Sequence, residues 1–152
     1  MAIKPIHQTH LTDLQKMYRK FWERFNSMSL IDPDFSLHFK IHPIPSIRGY
    51  QDYSIGCGYH IAIKLDFRKS EIFIGAYFDN VNLYKEYYQR HRKNIENELG
   101  IELKWDEQGT KGSAYYISPM KLETDADWDT AIHKMMTMAV RIKMTFQKYY
   151  SR

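Results

Sequence analysis

The chain predicts an α+β domain in the order α-ββ-α-ββ-α, an antiparallel four-stranded sheet packed with three amphipathic helices. Three observations carry that reading. Two stretches alternate apolar and polar residues with a period of two and double back through turn residues. Three other stretches repeat apolar residues at three-four spacing. No low-complexity segment separates two cores, so 1–152 reads as one domain.

Taken in order, Leu11 to Met28 places Leu11, Leu14, Tyr18, Phe21, Trp22 and Phe25 on one helical stripe, with Thr9 or Thr12 as the cap. Ser29 to Ser54 contains Pro33, Pro43 and Pro45, which lack the amide proton a helix or central strand needs, and reads as mostly irregular. The alternation Leu37, Phe39, Ile41 offers an extra edge strand there. Tyr59 to Phe67 and Ile72 to Phe78 alternate on either side of an Arg68-Lys69-Ser70 turn, giving a hairpin. Asp79 and Asn80 then stop the strand and can cap a helix from about Leu83 to Leu99, with Tyr84, Tyr88, His91, Ile95 and Leu99 on its stripe. Gly100 stands where a left-handed C-terminal cap is wanted. Ile101, Leu103 and Trp105 begin a second hairpin that returns through Ser113 to Ser118. Thr124 or Asp125 opens the last helix, whose stripe runs Trp128, Ala131, Ile132, Met135, Ala139, Ile142 and Phe146.

The chain is 43% hydrophobic and 15% aromatic, which places it outside the regime of disordered chains. A single cysteine, Cys57, excludes a disulfide scaffold and fits a cytoplasmic setting. Lys4, Pro5, His7 and His10 interrupt the apolar run a signal peptide would need, and no segment approaches the roughly 20 apolar residues of a membrane span. The net charge of +4 leans mildly toward a polyanionic partner.

The run Tyr53-Ser54-Ile55-Gly56, the pair Phe21-Trp22 in the first helix, and the stretch Lys93, Ile95-Glu96, Leu99-Gly100, Leu103, Trp105 resemble a bacterial domain-of-unknown-function family. Its members stand alone or follow restriction-nuclease-like domains. The resemblance implies an accessory role near nucleic-acid processing or defence, with nucleic acid or a nuclease-type protein as partner. Members commonly carry an arginine in the last strand, where this chain has Ser113-Ala114-Tyr115-Tyr116. Most shared positions are aromatic or aliphatic and describe packing.

Read residue by residue, the second face of the sheet would show His60, Lys64, Phe73, Tyr77, Lys104 and either Tyr115 or Tyr116. Aromatic rings beside lysines can stack bases and neutralise phosphates. The same residues suit a face covered by a helix, since stacking and core residues look alike in sequence. Lys85, Arg90, Arg92 and Lys93 form a basic stretch on the middle helix, and Glu96 and Glu98 follow it.

The enzymatic alternative is a metal-dependent nuclease using Glu102 and Lys104 with Asp66 or Asp79. The charges of Glu102 and Lys104 also suit an ordinary exposed strand face. The pairs His7/His10 and His38/His42 lie beside prolines and lack an acidic third ligand, so neither metal nor cofactor is expected. Cys57, between Gly56 and Gly58, has no neighbouring cation to make it a nucleophile. Met135, Met136, Met138 and Met144, spread around the last helix, suggest a docking surface and a homodimer as a third reading.

Overall fold

The structure, a computed structural model, describes residues 10–150. Helix α1 (Asp13–Ile31) opens on Thr12, whose hydroxyl accepts from the Gln15 amide while the Gln15 side chain accepts from the Thr12 amide. That reciprocal pair satisfies two amides the first turn leaves free. Thr9, the other candidate cap, lies outside the described residues.

The proline-containing segment departs from expectation. Leu37, Phe39 and Ile41 form no strand. Instead a short helix α2 (Pro33–His38) follows α1 directly, because Asp32 accepts from the Phe35 amide and Pro33 takes the first helical position, where no amide proton is needed. Phe35 is buried and Leu37 exposed. The extra edge strand lies later, as β1 (Tyr50–Ser54).

Strands β2 (Tyr59–Asp66) and β3 (Glu71–Phe78) form the expected hairpin, with Lys64 opposite Phe73 and His60 opposite Tyr77. Asn80 caps α3 (Val81–Glu86). A π turn at Tyr87–His91 then joins it to α4 (Arg92–Leu99), which ends on left-handed Gly100. The wide turn changes the buried series to Tyr84, Tyr87, His91, Ile95 and Leu99. Tyr88, expected on the stripe, is exposed instead.

Strand β4 (Lys104–Gln108) starts later than the alternation suggests. Glu96 accepts from the Leu103 amide at 2.7 Å and holds that residue to the end of α4. Strand β5 (Lys111–Pro119) returns beside β3, and α5 (Asp125–Lys148) closes the chain behind a Thr124/Asp127 capping box.

The five strands run in the order β1-β2-β3-β5-β4, every neighbour antiparallel. Period-two alternation sends Ile61, Ile63, Ile72, Ile74 and Phe78 to one face, where they meet Phe21, Trp22, Ile132 and Phe146 of the helices. Helix α5 lies across β3 and β2, while α3 packs on β5, β4 and β3. Arg24 of α1 grips Asp129 of α5 with two bonds of 2.7 and 3.0 Å. The three methionines Met135, Met136 and Met138 are buried in this layer and only Met144 is half exposed, so the expected methionine docking surface does not form. Among the described residues all helix packing therefore falls on one side of the sheet. No described element covers the other side.

Candidate functional site

Register fixes what the uncovered face displays. One row crosses the sheet as Asp52, Ala62, Gly75, Tyr115 and Lys104. The row on one side holds Tyr50, Lys64, Phe73 and Ile117, and the row on the other holds Ser54, His60, Tyr77 and Ser113. The two smallest residues, Ala62 and Gly75, thus fall at the centre and the large side chains ring them. The result is a shallow cup of about 320 Å³ lined by Tyr50, Asp52, His60, Lys64, Tyr77 and Tyr115.

Gly75 is required by its neighbours. A side chain there would run into the Ala114 carbonyl and come 2.8 Å from the Tyr115 Cα, so β3 and β5 pair this closely only with glycine at the position. Tyr115 is the outward member of the Tyr115-Tyr116 pair. Tyr116 points to the helices, with the Lys134 ammonium 5.5 Å from its ring.

The charged groups of the cup are held in place by rings and by one another. The Lys64 ammonium stands 5.0 Å from the centre of Tyr115 and 5.6 Å from that of Phe73, within cation–π range of both. His60 stacks on Tyr77 with ring centres 5.1 Å apart. Its Nε2 lies 3.5 Å from Asp52 and its Nδ1 3.7 Å from Asp79. The hydrogen-bonding approach of Asp52, with Asp79 adding to it, outweighs partial burial and raises the imidazole above its ordinary pKa of 6.5. Burial pushes the Tyr115 hydroxyl far above its usual value, so it serves as a neutral hydrogen-bonding group. Lys111 completes the rim, 3.8 Å from Asp79 and 6.0 Å from the Tyr77 ring.

The sequence-derived candidates divide among three places. Lys64, Phe73, Tyr77, Lys104 and Tyr115 share the uncovered face. Arg90, Arg92 and Lys93 lie in the helical layer behind it, where Arg90 pairs with Glu86 and Arg92 stacks on Tyr88 at 4.0 Å. The nuclease candidates are dispersed. Glu102 precedes β4 and Lys104 begins it, whereas Asp66, with β5 and β3 between the two strands, ends β2, where it accepts from the Arg68 and Lys69 amides of the hairpin turn. Among the described residues no three His, Cys, Asp or Glu side chains are grouped to hold a metal ion. His38 contacts Lys143, whereas His42 binds the Asp52 carbonyl at 2.6 Å, and His7 lies outside the described residues. A carbonyl can only accept, so His42 carries its proton on Nε2.

Sequence reasoning missed Tyr50, Asp52 and Lys111. The first two sit on β1, which the nearby prolines disguised as loop, although Tyr50 to Ser54 alternates exposed and buried residues. Among the described residues no helix is long and apolar enough to cross a membrane.

Comparison with curated proteins and with solved structures finds no match. A family model does match, over residues 17–150, which takes in every strand of the sheet and all six residues of the cup. The chain belongs to the family described as "Domain of unknown function (DUF4268)".

Proposed function

We propose that the protein is a non-catalytic binding module that holds single-stranded nucleic acid on the uncovered sheet face, in the service of nucleic-acid processing. The observation that carries this reading is the combination of Lys64, Tyr77, Tyr115, Phe73 and Lys104 on one sheet surface that no described helix covers. Bases stack on such rings with little dependence on sequence, and lysines beside them neutralise the phosphates. A duplex hides its bases, so this face favours an unpaired strand.

Fluorescence anisotropy with a labelled single-stranded oligonucleotide tests the reading. If Lys64, Lys104 and Lys111 each neutralise about one phosphate, log K should fall against log salt with a slope of about −2. Affinity then drops on the order of tenfold between 50 and 200 mM salt. The Lys64→Ala/Lys104→Ala protein should bind more weakly and with a shallower slope. Absence of salt-sensitive binding to any single strand refutes the proposal.

A second reading, docking to a protein partner or a second copy, is favoured by Leu30, Ile31 and Leu37. These are 66%, 82% and 80% exposed where α1 meets α2. Sedimentation across a concentration range checks self-association, and a constant monomer mass with wild-type protein removes that form of the reading.

A further inference from the structure

The cup contains one group that a phosphate-binding surface does not call for. Asp52 projects from the central row toward a floor made by Ala62 and Gly75, and its carboxylate is part-exposed. A carboxylate repels phosphate and accepts hydrogen bonds from donors. On a face that holds a nucleic-acid strand, the donors available to it are the base N–H groups and, in RNA, single 2′-hydroxyls; only a base offers two donors side by side. We infer that the cup receives one unpaired guanine, with Asp52 accepting from its Watson–Crick edge and Lys64 at the rim meeting the adjoining phosphate. This rests on the strand-binding reading above.

The choice of base follows from the donor pattern. Guanine places a ring N–H and an exocyclic amine side by side, two donors that match the two oxygens of one carboxylate. Adenine and cytosine place a donor beside an acceptor, and thymine or uracil sets one donor between two carbonyls that a carboxylate repels. Asp52 is also held for the purpose. His60 stands 3.5 Å from its Oδ1 and is itself fixed by stacking on Tyr77 at 5.1 Å. The Asp52 backbone carbonyl is tied by His42 at 2.6 Å, so main chain and side chain are both restrained.

The cup's size and walls agree with a single base. Its volume of about 320 Å³ lies near the lower end of small-ligand clefts. Tyr77 and Tyr115 stand in its lining and supply ring surface. Tyr115 stays neutral there and adds no second negative charge.

The test compares two labelled nine-nucleotide strands by fluorescence anisotropy, one all thymidine and one with a single central guanosine. Wild-type protein should prefer the guanosine strand on the order of tenfold, the discrimination expected of one bidentate pair. Replacing that guanosine by inosine, which lacks the exocyclic amine, should remove most of the preference without altering the protein. Asp52→Asn should bring the two strands level. Equal binding of both strands by wild type, a preference that survives inosine, or one that survives Asp52→Asn overturns the inference while leaving strand binding intact. Failure to bind either strand overturns both readings.

Discussion

Replacing Gly75 by alanine should cost the fold more than any comparable change on the uncovered face. The added methyl would enter the space of the Ala114 carbonyl and stand 2.8 Å from the Tyr115 Cα, and both obstacles are backbone. No rotamer relieves such a clash. Strands β3 and β5 must part locally by roughly 1.5 Å to reach ordinary van der Waals separation. That stretches the ladder bonds flanking the Gly75–Tyr115 pair beyond hydrogen-bonding distance. Two weakened bonds at about 0.5–1.5 kcal/mol each, with overpacking of about 1–3 kcal/mol, give a loss of about 2–6 kcal/mol. Domains of this kind hold about 5–15 kcal/mol in all, so the variant should fold but unfold early. Urea denaturation followed by circular dichroism reads this directly: with a slope of roughly 1–3 kcal/mol per molar, the midpoint should fall by about 1–3 M. An unchanged midpoint would refute the argument, because it would mean that β3 and β5 absorb a side chain where the geometry leaves no room.

Two further outcomes follow from other parts of the molecule. Tyr87→Phe removes a buried hydroxyl that donates to the Phe146 carbonyl at 2.8 Å; that carbonyl keeps the Tyr149 amide at 3.1 Å, so losing the one bond should cost about 0.5–1.5 kcal/mol in the same denaturation experiment. A loss within error of zero would show that the π turn is held by ring packing alone. His60 should titrate above 6.5 in an NMR pH series, since Asp52 and Asp79 favour its charged form. With a raised folded pKa, its contribution to stability is complete below the ordinary histidine value and fades as pH rises through the higher folded value. Asp52→Asn should move the titration back down, and a wild-type value at or below the ordinary one contradicts the assigned geometry.

Much of this fold is legible in the sequence because its signals are local. The alternation Tyr59, Ile61, Ile63, Leu65 fixes which side of β2 is buried, and so places His60 and Lys64 together on the other. The stripe from Phe21 to Phe25 and the Gly100 cap are equally direct. What escapes is long-range. Whether Tyr115 or Tyr116 faces outward depends on pairing with Gly75, forty residues earlier, and two adjacent tyrosines carry no mark of parity. The π turn escapes because a three-four spacing accommodates Tyr87 or Tyr88 equally well. Asp52 escapes because β1 is five residues long and follows a run of prolines, so its pairing with His60 to Lys64 is what identifies it as strand. Two of the six residues that line the cup, Tyr50 and Asp52, are hidden for that reason.

The histidine bond to the Asp52 carbonyl bears on how the sheet meets other molecules at its margins. An edge strand exposes unpaired backbone groups that invite another chain to add a strand. On β1, His42 already occupies the Asp52 carbonyl. On β4, the opposite margin, Lys104, Asp106 and Glu107 present both signs of charge along a strand of only five residues. Both margins are thus poor templates for edge-to-edge pairing, so the sheet resists lateral growth into aggregates. It can leave a broad aromatic surface uncovered without polymerising through its sides.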